Sequence, residues 1–281
     1  MGVTSGHVPV RGATLYYEAT GEGRPLVLLH AGLSDLRMWD DQVGALARRH
    51  RVIRYDLRGY GRSPATDHET PHREDLYELL GFLKIDAASL CGLSLGGYTA
   101  IDFALDHPDM VHALIPVSSG FSGYQPVHTR PQAEEVLFAE AEAARERGEF
   151  DRLVDVAVRI WVDGPGQSPN RVPQALRERV RAMFTANLPM DEKRRRLPAR
   201  PPDPPAAARL SEIRAPTLVV VGDLDTSAIR SATDIMAERI PGARKLVLTG
   251  CAHLLNMERP EEFNRIVKEF LHDVERPHDH P

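Results

Sequence analysis

Cysteine is nearly absent. Cys91 and Cys251 are the only two in 281 residues. Neither has CxxC or CxxH spacing, which argues against a metal site, and so low a count fits a reducing cytosol. Long apolar runs are also missing. No stretch approaches the roughly 18 residues that a membrane-spanning helix needs. Met1 to Arg11 lacks the apolar core of a secretion signal. A cytoplasmic protein with no membrane partner is therefore expected. Basic excess is lacking too: the formal charge is −5, which argues against nucleic acid as a partner. What remains is a globular composition, 42% hydrophobic and 27% charged. Its length suits one domain with an insertion, or two small domains. Oligomeric state is not legible.

The chain alternates. Val8 to Arg11 and Ala13 to Ala19 predict a hairpin joined at Gly12. Pro25 to His30 is a continuous apolar run, as in a strand covered on both faces. A helix is predicted over Trp39 to Arg49 and a strand over Arg51 to Asp56. Thr70-Pro71 reads as an N-cap followed by proline at the first helical position, opening a helix to about Lys84. Val111 to Val117 is a further strand. Such alternation predicts a mostly parallel sheet.

The alternation then stops. Phe121 to Ala208 holds three helical stretches, Gln132 to Arg147, Phe150 to Trp161 and Pro173 to Ala186, and a proline-rich linker, Pro198 to Pro205. It predicts a helical cap, residues 121–208, inserted into a core of residues 1–120 and 209–281. Strands are predicted again over Thr217 to Gly222 and Lys245 to Thr249, and helices over Ser227 to Arg239 and Pro260 to Val274. The tail after Arg276 reads as disordered.

The chemistry concentrates at Gly92-Leu93-Ser94-Leu95-Gly96. A strand-like run, Asp86 to Cys91, precedes it, and helical period follows from Tyr98 to Leu105. A strand that turns into a helix at a serine is a nucleophile elbow. A Cβ at Gly92 or Gly96 would collide with the crossing chain. A serine hydroxyl needs a base, usually histidine. His253 has the best setting, in a loop between the last strand and the last helix. Loops at the carboxyl ends of strands are where open parallel sheets meet ligands. The acid that orients the imidazole comes from Asp223 or Asp225. Asp225 is preferred, being farther out in its loop; Asp223 suits a turn cap. The order Ser94, Asp225, His253 differs from the chymotrypsin and subtilisin orders. The Leu95 N–H and an N–H from the His30-Ala31-Gly32-Leu33 loop would form an oxyanion hole, Gly32 being preferred to Leu33. His30 itself reads as a structural hydrogen-bonder.

Taken together, the His30-Ala31-Gly32 loop, the Asp56-Leu57-Arg58-Gly59-Tyr60-Gly61-Arg62-Ser63 turn, the Gly92-to-Gly96 elbow, the Gly222-x-x-Asp225 loop and the His253 loop resemble the α/β-hydrolase superfamily. In tone they are nearest its carboxylesterases and enol-lactonases. The resemblance implies an α/β fold with an eight-stranded, mostly parallel sheet flanked by helices and an inserted helical cap. It supports Asp225 over Asp223. One departure is Ala31, where the family usually has a second glycine. The expected activity is hydrolysis of a small carboxylic ester through an acyl-enzyme, with no cofactor and no metal. An enol-lactone or carbon–carbon bond hydrolase on the same triad is the alternative, and a non-catalytic ligand-binding member the last. In the cap, Phe138, Trp161, Met183, Phe184 and Tyr124 are pocket candidates, with packing of the cap's own core the preferred role for the first four. Arg194-Arg195-Arg196 reads as a solvated charge run.

Overall fold

The structure is a computed structural model that describes residues 2–66, 71–126, 129–197 and 201–276. Thr70, Pro198 to Arg200 and the tail from Pro277 lie outside the described residues, and with them the predicted Thr70 cap, the start of the linker and the disordered tail.

Eight strands form one sheet in the order β1-β2-β4-β3-β5-β6-β7-β8. They are β1 (Val3–Val10), β2 (Ala13–Thr20), β3 (Arg24–Leu29), β4 (His50–Tyr55), β5 (Ala88–Leu93), β6 (Val111–Val117), β7 (Leu218–Gly222) and β8 (Arg244–Leu248). β1 and β2 form the antiparallel entry hairpin, and β2 pairs antiparallel with β4. Every other pairing is parallel. Among the described residues ten α-helices accompany them: α1 (Asp40–Leu46), α2 (His72–Phe82), α3 (Leu95–Asp106), α4 (Gln132–Glu146), α5 (Phe150–Val158), α6 (Gln174–Arg195), α7 (Ala206–Arg209), α8 (Ser227–Arg239), α9 (Leu255–Glu258) and α10 (Pro260–Glu275).

The two-residue period of the strands sorts their apolar side chains into two layers. Leu26, Leu28, Cys91 and Val220 point to one face, where Leu46 of α1 and Phe263, Val267 and Phe270 of α10 cover them. Val27, Leu29, Leu90 and Val219 point to the other, against Leu79 of α2, Ile101 and Phe103 of α3 and Met236 of α8. Both faces are sealed, which is why these strands read as unbroken apolar runs.

Four predicted elements are corrected. The first helix is shorter than predicted: a 3₁₀ turn over Leu36–Trp39 leads into Asp40–Leu46. Pro71 sits at the N-cap of α2 rather than inside it. The stretch ending at Trp161 is not one α-helix: α5 stops at Val158 and a π-helical turn spans Arg159–Asp163. α6 does not end near Ala186 but runs through Pro189 to Arg195. Proline removes one backbone donor and normally breaks a helix. Here tertiary contacts hold the segment on both sides of it. Asn187 accepts from the Gly61 N–H at 2.8 Å and donates to Asp35 Oδ2 at 2.9 Å. Asp191 accepts from the Tyr60 hydroxyl at 2.5 Å. No helix among the described residues is long and apolar enough to cross a membrane.

Candidate active site

β5 passes directly into α3, and Ser94 is the single residue between them. Its backbone lies at φ 53°, ψ −111°, a region that costs a residue with a side chain about 1–3 kcal/mol. Three hydrogen bonds fix it. The Ser94 N–H donates to Val117 O at 2.9 Å, Tyr98 N–H donates to Ser94 O at 2.9 Å, and the Ser119 hydroxyl donates to Ser94 O at 3.0 Å. A Cβ at Gly92 would overlap the Gly96 carbonyl, and one at Gly96 would overlap the Leu29 carbonyl. The turn can therefore close only with glycine at both places.

The loops after β7 and β8 lie against each other at Gly222, where a Cβ would overlap the Cys251 carbonyl. The two aspartates divide the work. Asp223 Oδ1 accepts from Gly250 N–H at 2.7 Å and so caps the loop. Asp225 turns inward, and its Oδ2 and Oδ1 lie 2.8 and 3.0 Å from His253 Nδ1. Both side chains are buried. A carboxylate only accepts, so the pairing assigns the imidazole proton to Nδ1 and leaves Nε2 with its lone pair. Among the described residues the Ser94 hydroxyl makes no hydrogen bond, to His253 or to anything else.

The third loop follows β3. His30 Nδ1 donates to Ala31 O at 2.7 Å, and its Nε2 accepts from Leu57 N–H at 2.8 Å. Burial pushes its pKa down to about 4, so the ring is neutral and ties two strand ends together. Leu33 adopts a left-handed φ of 58°. The Gly32 N–H has no acceptor among the described residues. Leu95 opens α3, so its N–H has no carbonyl one turn back. A Cβ at Gly32 would meet nothing closer than Tyr60 Oη at 3.8 Å, so packing does not require glycine there. The turn after β4 is structural. Asp56 accepts from Leu36 N–H and Arg62 N–H, each at 2.8 Å, and Arg58 grips the buried Asp75 through Nε and Nη2.

A cavity of about 360 Å³ opens beside Ser94. Leu95, Tyr98 and Asp102 of α3, His72 of α2 and Arg194 of α6 line it. Arg194 is thus not one of a solvated run: its Nε donates to Tyr60 Oη at 3.0 Å. Burial raises the Asp102 carboxyl to about 6, opposed by the hydrogen bond it accepts from Ser122 Oγ at 2.7 Å. Met183 and Phe184 are core residues. Tyr124 packs on Phe121 with ring centroids 5.1 Å apart. Trp161 instead reaches the site, its ring centroid 4.5 Å from that of His253. Phe138 stands edge-on to Trp161 at 6.0 Å. Among the described residues no group of three His, Cys, Asp or Glu gathers to hold a metal ion.

Sequence reasoning does not single out two further residues, Arg171 and Glu258. Arg171 Nη1 donates to Gly250 O at 2.7 Å and to Glu258 Oε2 at 2.5 Å, while Nε and Nη2 donate to Asp163 O and Val162 O. Glu258 Oε1 accepts from Ala252 N–H at 2.9 Å. Glu258 follows His253 by five positions, which is a faint signal; Arg171 carries none.

Comparison with known proteins agrees with the architecture. The chain is 25% identical over 276 residues to 3-oxoadipate enol-lactonase 1 of Acinetobacter baylyi, covering 94% of this chain and 96% of that one. It is 28% identical to the pimeloyl-[acyl-carrier protein] methyl ester esterase of Aeromonas hydrophila, covering 90% of this chain and 98% of the esterase. The crystal structure of the enol-lactonase from Burkholderia xenovorans superimposes with a TM-score of 0.78 at 28% identity, covering 95% of this chain and all of that one. The model of the alpha/beta hydrolase family matches residues 26–266, and the chain belongs to that family.

Proposed function

We propose that the protein hydrolyses small carboxylic esters by a serine triad. Ser94 is the nucleophile, His253 the base and Asp225 the acid that orients it. The observation that carries this reading is the Asp225–His253 pair, 2.8 Å apart, on loops at the same strand ends as the strained Ser94 turn. Catalytic hydrogen bonds are often long in a resting site and tighten when substrate is bound. The open Ser94 hydroxyl fits that state.

The Ser94 oxygen attacks the ester carbonyl and His253 Nε2 takes its proton. The imidazolium that forms is stabilised by Asp225, which stays ionised. Negative charge grows on the carbonyl oxygen, where the Leu95 and Gly32 N–H groups receive it; each such donor contributes roughly 10²–10³ in rate. His253 returns the proton to the departing alcohol. Water, activated by the same imidazole, then clears the acyl-enzyme. The helices between β6 and β7 act as the cap, and with the cavity they restrict the substrate to a small ester.

A lactone is the second reading, favoured by the enol-lactonase relatives. The same steps apply, except that the alcohol remains tethered to the acyl group. Turnover of p-nitrophenyl acetate and butyrate, and of an enol-lactone, is the test. Ser94→Ala is expected to abolish all of it; ester turnover at the wild-type rate in that variant would overturn the assignment.

A further inference from the structure

Resting on the triad reading above, we propose that the π-helical turn at Arg159–Asp163 is a positioning element for His253, with Trp161 supporting the imidazole and Arg171 fixing the turn to the histidine loop. π turns are rare and are frequently found at functional sites, and here one forms the last turn of the segment that begins with α5. This one carries Trp161 onto the His253 ring, at 4.5 Å between centroids and 47° between planes. Phe138 also packs on Trp161, with ring centroids 6.0 Å apart and planes at 77°, and itself lies under the Arg130 guanidinium at 4.5 Å. The indole therefore packs against a second aromatic ring besides the imidazole.

The turn ends at Gly164, φ 88°, where a Cβ would lie 2.9 Å from Leu224 O and 3.4 Å from Ala252 Cβ. The inserted segment thus touches both the loop before Asp225 and the loop before His253. Arg171 closes the arrangement. One guanidinium, 16% exposed, bonds the last two carbonyls of the turn, the Gly250 carbonyl and Glu258. Glu258 in turn holds the Ala252 N–H, beside His253. A planar fork of five donors can bridge four acceptors in this way; a lysine ammonium cannot.

His253 is held on its Nδ1 side by both oxygens of Asp225, but contacts made through one ring nitrogen do not by themselves fix the tilt of the ring. A misplacement of about 1 Å at a reacting group costs about 10²-fold in rate. Trp161 blocks that tilt. The role concerns the chemical step and not substrate binding, so kcat carries the effect and KM does not.

The test measures kcat per active site, the sites being counted by titration with a fluorophosphonate. Trp161→Leu is expected to lower kcat per titrated site by 10-fold or more, on the order of the misplacement cost, with KM within about threefold of wild type. Trp161→Phe restores a flat ring and is expected to recover most of the loss. Arg171→Lys keeps the charge but not the bridge and is expected to lose kcat in the same way. Circular dichroism melts of all three report folding. Wild-type kcat per site in both Trp161→Leu and Arg171→Lys overturns the proposal, as does a loss confined to KM. Should Trp161→Leu fail to fold, Arg171→Lys and Trp161→Phe decide: full kcat per site in Arg171→Lys, or no ring requirement in Trp161→Phe, overturns it. If wild type takes no label at Ser94 and turns over no ester, it is the triad reading that has failed; label and turnover with insensitive variants defeat this inference alone.

Discussion

His253 Nδ1 sits 2.8 Å from Asp225 Oδ2, across 28 positions of chain, and the two meet only because β7 and β8 are neighbours in register. Register pairs Gly222 with Leu248, so the following loops leave the sheet side by side. Asp225→Asn keeps the shape but cannot hold the same tautomer. It is expected to lower kcat by about 10⁴-fold with little change in melting temperature. Steady-state kinetics on p-nitrophenyl butyrate checks this.

The elbow makes a steric prediction. A Cβ at Gly96 would overlap Leu29 O, and one at Gly97 would lie 2.6 Å from Ser119 Cβ. Gly96→Ala must push β3 away from α3. It is expected to cost several-fold in soluble yield, to lower the melting temperature and to abolish turnover. Gly44, whose Cβ would meet nothing within 4 Å, is the control: Gly44→Ala is expected to leave melting temperature and kcat unchanged or slightly raised, because alanine favours the helix.

His30 sets a pH dependence of stability. Its folded pKa is depressed to about 4 from 6.5. Between those values the unfolded chain binds a proton that the folded one does not. Stability is therefore present above pH 6.5 and is lost as pH falls toward 4, by about 3 kcal/mol from this group. His30→Gln has no such proton. Urea melts from pH 7 to 4.5 are expected to show a shallower decline in the variant than in wild type.

Asp102 works in the opposite sense. Its pKa is raised from 3.8 to about 6, so folding disfavours the ionised form. Stability from this group is full below pH 3.8 and is lost as pH rises through 6, a penalty of up to about 3 kcal/mol at neutral pH. Asp102→Asn still accepts from Ser122 Oγ and carries no charge. It is expected to melt higher than wild type at pH 8, with the gain vanishing near pH 4.

Local chemistry was legible and tertiary placement was not. Gly92, Ser94 and Gly96 announce their turn because all three fall within five residues between a strand-like and a helix-like run; the Gly92 clash is local to that turn, whereas the carbonyl that excludes a side chain at Gly96 belongs to Leu29. β3 and β7 announce themselves because both faces of each are covered. Asp225 could be preferred to Asp223 from loop position, and their hydrogen bonds divide them in that way. Trp161 could not be placed, since its contact with His253 depends on a π turn with no signature in composition. Nor could the length of α6, because what carries it past Pro189 are bonds to Asp35, Tyr60 and Gly61, more than 120 positions away. Arg194 reads as one of three exposed arginines until that helix is extended and turns it toward Tyr60.

The most direct measurement is intact-protein mass spectrometry after reaction with a fluorophosphonate, followed by peptide mapping. The expected result is one adduct per chain, on Ser94, formed quickly in wild type and slowed by orders of magnitude in His253→Ala. Ester turnover that persists in a chain carrying no adduct, or an adduct on another residue with Ser94 untouched, would contradict it.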